Sequence, residues 1–150
     1  MFKEIRHSEI TVRDLEESIA FYAKLGLKVI RKTEYKFAEG NFPGLKGSEI
    51  EIAFLQVGND GVIELIEYKN RKGRHSKAVP WDIGQMHIAF EVTDILKIYK
   101  ELGKDGIEFL SPPIYEETGE GAVLWCYLKD PNNALLELCE VKKKKRQHYE

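Results

Sequence analysis

Four residues of metal-ligating type stand at matching places in the two halves of the chain. His7 begins the segment HSEITV and His87 begins HIAFEV, while Glu64 and Glu137 hold the second positions of IELIE and LELCE. A carboxylate between apolar neighbours is costly to bury unless it is paired or bound to a metal. Two imidazoles with two carboxylates suit a divalent ion such as zinc, nickel, cobalt, manganese or iron(II). Each residue alone could be a satisfied polar group of the core, but the repetition favours a metal site.

The same repetition extends to the elements that would position these residues. An offset of 80 positions, from 7 to 87, also pairs Asp14 with Asp94. Each aspartate stands where a helix N-cap is expected, and the first has Glu17 three residues on, as in a capping box. Apolar residues at helical spacing follow in each half, and Gly26 and Gly103 are predicted to end the two helices. The apolar positions are Leu15, Ile19, Tyr22 and Leu25 in the first half and Ile95, Ile98, Tyr99 and Leu102 in the second.

Three β-type segments follow each predicted helix, so each half is predicted to fold as β-α-β-β-β. They are residues 27–35, 49–57 and 61–68 in the first half and residues 107–113, 122–130 and 134–141 in the second. Side chains alternate across a strand. If the apolar neighbours of each glutamate face a helix, the glutamate points to the opposite face with the histidine of its half. Residues 37–47, 69–84 and 111–121 lack a regular pattern and are predicted to be long loops.

Length, charge and cysteine content limit the class of protein. The chain of 150 residues is predicted to form one domain, with repeat 1 at about 3–69, repeat 2 at about 84–141 and a basic disordered tail at 142–150. A net charge of −2 offers no general attraction for nucleic acid, and no apolar run is long enough to span a membrane. The segment MFKEIRH lacks the apolar core of a signal peptide, so a cytoplasmic location is expected. Cys126 and Cys139 form no disulfide framework or zinc spacing and are expected to be small packed residues.

The segment HSEITVRDLEESIAFYAKLGLKV resembles the opening of vicinal oxygen chelate proteins, the superfamily of glyoxalases, bleomycin-resistance proteins and extradiol dioxygenases. GQMHIAFEVTDI and DPNNALLELCE are similar to the signatures of its second half, so the resemblance extends over residues 5–141. It implies an α+β fold in which two βαβββ repeats pair into a curved mixed sheet, a cup with its helices on the outer face. It also implies a divalent metal held by His7, Glu64, His87 and Glu137, a small-molecule substrate, and a homodimer in which one chain or two supply the ligands.

By this resemblance the protein is a metal-dependent lyase or isomerase. The metal would chelate oxygens of a small substrate or thioester and stabilise an enolate, while a base removes the proton beside the carbonyl. Glu137 is the first candidate for this base, and Glu64 is the second. Four ligands match the glyoxalase I (lactoylglutathione lyase) and methylmalonyl-CoA epimerase branches. Two alternatives are an extradiol-type dioxygenase, whose iron(II) has two histidines and one carboxylate, and a bleomycin-resistance-type protein that binds its ligand without catalysis.

Other residues bear on the substrate. Glyoxalase I usually has an arginine four residues after the first histidine, where this chain has Thr11, which argues against glutathione. Glu34 could match the second base of the epimerases, although an exposed strand residue is the expected reading. Glu9 and Glu91 fall on the histidine-bearing face, where each could hydrogen-bond a ligand or lie in solvent. A basic loop, which could contact an anion but is expected to be solvated, contains Arg71, Lys72, Arg74, His75 and Lys77.

Overall fold

Two four-stranded mixed sheets, each with one helix, make up the part of the protein that the structure describes. The computed structural model describes residues 1, 3–37, 44–76, 79–119 and 121–143, and the chain divides into two units, Met1–Ser76 and Lys77–Glu150. Both units follow the order β-α-β-β-β, which confirms the predicted α+β class and the repeat. The prediction that the repeats form one domain stays a prediction. Unit 1 contains β1 (Ser8–Val12), α1 (Leu15–Lys24), β2 (Lys28–Lys36), β3 (Glu49–Val57) and β4 (Gly61–Tyr68); unit 2 contains β5 (Ile88–Glu91), α2 (Ile95–Lys104), β6 (Ile114–Thr118), β7 (Gly121–Lys129) and β8 (Leu135–Lys143).

The first and last strands of each unit are neighbours. The strand orders are β1-β4-β3-β2 and β5-β8-β7-β6, with β1 parallel to β4, β5 parallel to β8 and all other pairs antiparallel. In unit 1 the register places Glu64 between Glu9 of β1 and Phe54 of β3. In unit 2 it places Glu137 between Ala89 of β5 and Tyr127 of β7. The candidate glutamates therefore lie on strands next to the segments that carry the candidate histidines.

Apolar side chains that alternate with the glutamates form the core beneath each helix. In unit 1, α1 contacts β2, β3 and β4, and in unit 2, α2 contacts β8. The apolar residues that flank Glu64 and Glu137 are buried, as the alternation predicts, so the two glutamates occupy the other face of their sheets. Buried residues on the helix side include Val12, Leu15, Tyr22, Ala53, Leu55, Ile63 and Leu65 in unit 1 and Phe90, Ile95, Leu102, Cys126, Leu128, Leu136 and Leu138 in unit 2.

Both helices begin at the predicted aspartates, but the second ends later than predicted. The Asp14 carboxylate accepts a hydrogen bond from the Glu17 N–H at 2.8 Å, and α1 ends before Gly26, which has a φ of 87°. In α2, Gly103 lies inside the helix, because the N–H of Asp105 still bonds the carbonyl of Glu101. The left-handed residue that follows is Gly106, with a φ of 78°. The predicted helix end at Gly103 is therefore wrong. A glycine typically follows a helix where the backbone adopts a left-handed conformation, and here that glycine is Gly106.

The prediction of a strand at residues 107–113 is also wrong. In this stretch Phe109 makes only an isolated bridge to Leu128, and the regular strand β6 begins at Ile114, inside the stretch predicted to be a loop. Pro112 and Pro113 explain the shift, because proline has no N–H to donate to a neighbouring strand. At the carboxyl end, β8 continues to Lys143 because β7 is long enough to pair with it, so residues 142–143 belong to the strand rather than to the predicted tail. Residues 144–150 lie outside the described residues.

Membrane-spanning helices are not found in the part of the chain that the structure describes, since neither helix has the length and apolar character needed to cross a bilayer.

Candidate functional site

The first candidate pair is joined in unit 1. His7 lies one residue before β1, and its Nδ1 atom is 3.0 Å from Oε1 of Glu64 on β4. The Glu64 side chain is 12% exposed and the His7 side chain is 39% exposed. The carboxylate is thus largely removed from water while the imidazole remains accessible. The parallel β1–β4 pairing brings these two residues together although 56 others separate them in sequence.

The second pair repeats this arrangement in unit 2. His87 lies one residue before β5, and its Nε2 atom is 2.9 Å from Oε2 of Glu137 on β8. The exposed fractions are again unequal, 37% for the histidine and 18% for the glutamate. Each unit therefore holds one imidazole nitrogen and one carboxylate oxygen at hydrogen-bond distance. The four predicted ligands are brought together in these two pairs, and their binding to one shared ion stays a prediction.

Glu9 adds a second carboxylate to the first pair. It is directly opposite Glu64 in the β1–β4 register, and one ligand atom each from His7, Glu9 and Glu64 lie within 4.8 Å of one another. The sequence pattern placed Glu9 on the correct face, but only the register shows that it adjoins Glu64. In unit 2 the residue opposite Glu137 is Ala89, so the two units differ at this point. The His7–Glu64 pair therefore has a second carboxylate beside it, which the His87–Glu137 pair lacks at the matching position.

Aromatic residues that are not among the sequence-based candidates border the second pair. Tyr127 is opposite Glu137 on β7, and its ring centroid is 5.3 Å from that of His87 in an edge-to-face arrangement. The Trp125 ring lies 5.4 Å beyond the Tyr127 ring, and its Nε1–H donates to Glu116 at 3.3 Å. The alternation of Trp125 and Tyr127 within the segment AVLWCYLKD is the signal that could have identified this wall.

Neither cysteine is prepared to act as a nucleophile at neutral pH. Cys126 is fully buried on the helix side, and burial raises the pKa of its thiol to about 11. Cys139 lies opposite Glu91, on the Glu137 face. Burial raises the pKa of the Cys139 thiol, and the negative charges of Glu137 and Glu91 raise it further. Both thiols therefore stay protonated, in agreement with their expected role as packed residues.

Of three other candidates, one lies on the face opposite to Glu64, one is exposed on the Glu64 face and one holds a loop in place. Glu34 is opposite Glu51 on β3, and both lie on the face of the sheet opposite to Glu64. This placement removes Glu34 as a second base beside Glu64. Thr11 is exposed on the Glu64 face. In the basic loop, Arg71 donates to Ser48 Oγ and to the carbonyl of Lys46, both at 2.6 Å, so this side chain fastens the loop. Lys77 and residues 38–43 lie outside the described residues.

Two βαβββ units, each with a His–Glu pair where the first strand meets the last, define a protein of the glyoxalase fold. The family model of the Glyoxalase/Bleomycin resistance protein/Dioxygenase superfamily matches residues 4–138. The chain belongs to this superfamily, which confirms the resemblance drawn from its motifs.

Three individual relatives are each less than 30% identical to this chain in sequence. Over 137 residues the chain is 28% identical to the glyoxalase domain-containing protein RDO1 of Mycosarcoma maydis, and the match covers 91% of this chain and 67% of that protein. A glyoxalase family protein of Bacillus cereus has the same fold, with a TM-score of 0.77, 22% identity and coverage of 93% of this chain and 95% of the other. The trypanothione-dependent glyoxalase I of Leishmania major is 26% identical, with a TM-score of 0.63 and coverage of 93% and 87%.

Proposed function

We propose that the protein is a metal-dependent lyase or isomerase of the glyoxalase type. In this proposal His7, Glu64, His87 and Glu137 bind one divalent ion, and Glu137, or in second place Glu64, removes a proton beside a carbonyl of a small substrate. The observation that supports the proposal is a contact between a histidine and a glutamate at matching positions of the two units, made by Nδ1 of His7 and by Nε2 of His87.

The donor atoms fit a divalent metal. Each pair offers an imidazole nitrogen and a carboxylate oxygen, the mixture that zinc, nickel, cobalt, manganese and iron(II) accept. Each carboxylate is mostly shielded from water, so a bound cation would offset the cost of removing its charge from solvent. When bound, the metal would act as a Lewis acid that polarises the substrate carbonyl.

The residues around Glu137 fit the role of a base. Its carboxylate contacts His87, and the opposite Tyr127 provides an aromatic border that limits water on one side. These contacts hold the carboxylate in one position, as a general base requires. Glu64 has instead Phe54 on one side and the carboxylate of Glu9 on the other, so its surroundings carry more negative charge.

The proposed substrate is a small carbonyl compound, and an acyl thioester is favoured over a glutathione adduct. The Leishmania major relative is described as trypanothione-dependent, and the thioester proposal for this chain differs from it because Thr11 stands where the resemblance leads us to expect an arginine that binds glutathione. A cytoplasmic location and a homodimer are part of the same proposal. Analytical ultracentrifugation tests whether the protein is a homodimer.

Metal titration is the first experiment. Metal-stripped protein would be titrated with nickel, cobalt, zinc and manganese by calorimetry, beside the variants His7→Ala and Glu137→Ala. We expect tight binding of one ion per chain, weakened at least 100-fold in either variant. Glu34→Gln is the matched control, because it removes a carboxylate from the opposite face of the sheet. If the wild type binds none of these ions, the proposed enzyme is excluded and ligand binding without catalysis becomes the better account.

Proton transfer is the second experiment. The metal-loaded protein would be incubated in deuterated water with methylmalonyl-CoA, or with the hemithioacetal of methylglyoxal and glutathione, and deuterium incorporation followed by mass spectrometry. We expect exchange in the thioester, and a Glu137→Gln variant that still contains metal should lose at least 100-fold in rate. Undiminished exchange in that variant would rule out Glu137 as the base. Oxygen uptake with catechol in the presence of iron(II), without proton exchange, would support the dioxygenase instead.

A further inference from the structure

An irregularity in β2 turns one arginine toward the Glu64 face. Val29 is opposite Leu55 on β3, but Arg31 is opposite Phe54, so one extra residue lies in β2 between these two pairs. With regular pairing Arg31 would be opposite Ala53, which is completely buried on the helix side. A bulge of this kind re-aims the side chains that follow it, and bulges are frequent beside functional sites. The result places a guanidinium on the sheet face that carries Glu64.

An aromatic ring holds this guanidinium in place. The Cζ atom of Arg31 is 3.9 Å from the centroid of the Phe54 ring, a cation–π contact. Phe54 itself packs against the buried cluster of Ile50, Ile52 and Ile66, so its ring is anchored. Stacking uses the flat face of a guanidinium and leaves its edge N–H groups available. Because Phe54 is also opposite Glu64, one ring separates the arginine from the His7–Glu64 pair.

Apart from its contact with Phe54, the positive charge of Arg31 has no acidic partner in the described part of the chain. Among the described residues no carboxylate forms an ion pair with it, whereas two lysines of the same strand are paired. Lys32 contacts Glu16 and Glu51, and Lys36 lies 3.3 Å from Glu49. A guanidinium that is positioned by a ring but lacks an acidic partner is suited to bind an anion from solution.

We propose that Arg31 binds a carboxylate of the substrate. This inference rests on the proposed function, because the other end of the same molecule would be held at the His7–Glu64 pair. Neighbouring strands are about 4.8 Å apart, so β2 and β4 are separated by about 10 Å, and the Arg31 side chain spans part of that distance. A carboxylate two or three carbons from the reacting carbonyl fits this separation. A single planar guanidinium matches a carboxylate in bidentate geometry, whereas a phosphate dianion would keep an unpaired charge near Glu9 and Glu64.

The test compares two ligands that differ only at the far end. The metal-loaded protein would be titrated by calorimetry with 2-oxoglutarate and with 2-oxopentanoate, which has a methyl group in place of the distal carboxylate. We expect the wild type to bind 2-oxoglutarate at least tenfold more tightly. Arg31→Gln should remove this preference while metal affinity and binding of 2-oxopentanoate stay within twofold. Arg31→Lys should retain only part of it, because an ammonium lacks the bidentate fork.

The control is Lys32→Gln, which removes a positive charge from the neighbouring position on the opposite face and should leave the preference intact. Binding of metal together with an equal preference in the wild type and in Arg31→Gln would overturn the role of Arg31 without affecting the proposed metal site. If no metal binds, the proposed function fails, and Arg31 is then tested in the metal-free protein by NMR. A saturable shift of the Arg31 Nε–H signal with glutarate would support the carboxylate site, and an unchanged signal would overturn it.

Discussion

Glu67 and Glu140 hold matching positions at the ends of IELIE and LELCE, and each carboxylate caps the helix of its own unit. Oε2 of Glu67 accepts a hydrogen bond from the N–H of Leu15 at 2.9 Å, and Oε2 of Glu140 accepts one from the N–H of Ile95 at 3.1 Å. The first backbone N–H groups of a helix have no partner within the helix and attract negative charge. The last strand of each unit therefore stabilises the start of the helix that follows the first strand.

Removing the second of these caps should destabilise the protein. Glu140→Ala leaves the N–H of Ile95 without its acceptor in a partly buried position, so we expect the free energy of unfolding to fall by about 1–2 kcal/mol. Urea denaturation followed by circular dichroism measures the change. Glu140→Gln keeps an acceptor oxygen and should recover part of the loss. Glu101→Ala, on the exposed surface of α2, should change stability by less than about 0.5 kcal/mol; a loss as large as that of Glu140→Ala would contradict the capping role.

The two aspartate caps should respond differently to alanine. Asp14 has extended backbone angles, whereas Asp94 has a φ of 60° and a ψ of 60°, in the left-handed region. Asp14→Ala should cost about 1 kcal/mol, the value of a lost cap. Asp94→Ala should cost about 2 kcal/mol, since alanine also lacks the tolerance of aspartate for this region. Urea denaturation of both variants tests the difference, and Asp94→Gly should be more stable than Asp94→Ala. Equal costs at the two positions would show that the backbone of Asp94 carries no strain.

Cys126 should resist alkylation, and its thiol should make the free energy of unfolding depend on pH above about pH 9. Burial raises the pKa of its thiol to about 11 from an ordinary value of 9.0. Above pH 9 the unfolded chain releases this proton before the folded protein does, so the free energy of unfolding should fall with rising pH. The slope should approach about 1.4 kcal/mol per pH unit between pH 9 and 11.

Urea titrations at pH 8, 9 and 10 would measure this slope in the wild type and in Cys126→Ala, which should lack the contribution. In Cys139→Ala, where Cys126 is the remaining cysteine, iodoacetamide should react slowly at pH 8 until urea unfolds the protein. Rapid reaction of the folded variant would show that the thiol is accessible.

Removal of metal should lower the melting temperature. A ligand present at 100 times its dissociation constant, and bound only by the folded protein, stabilises it by about 2.7 kcal/mol. For a chain of this size that corresponds to a rise of about 5–10 °C. Scanning calorimetry of the stripped protein, with and without the preferred ion, measures the shift. His7→Ala should abolish it, while His75→Ala, in the basic loop, should preserve it. A shift that survives in His7→Ala would place the metal elsewhere.

The repeat, the helix starts and the faces of the candidate ligands could be predicted from the sequence. Each depends on local order: an aspartate cap acts on an N–H three residues away, and side chains alternate between the faces of any strand. Glu64 and Glu137 could therefore be assigned to the histidine-bearing face because their neighbours are apolar. The strand β6 was missed because all five of its residues are exposed, so no burial pattern distinguishes it from a loop.

Contacts between different secondary-structure elements were decided by the tertiary structure. The adjacency of Glu9 and Glu64, the caps by Glu67 and Glu140, and the aromatic border of His87 each join residues from different elements. The turn of Arg31 onto the Glu64 face depends on a single extra residue in β2, which no periodicity within that strand reveals. Alternation determines on which face a side chain lies, because it follows from the backbone of one strand. Which residues then become neighbours depends on register, and register is set by hydrogen bonds between segments far apart in the chain.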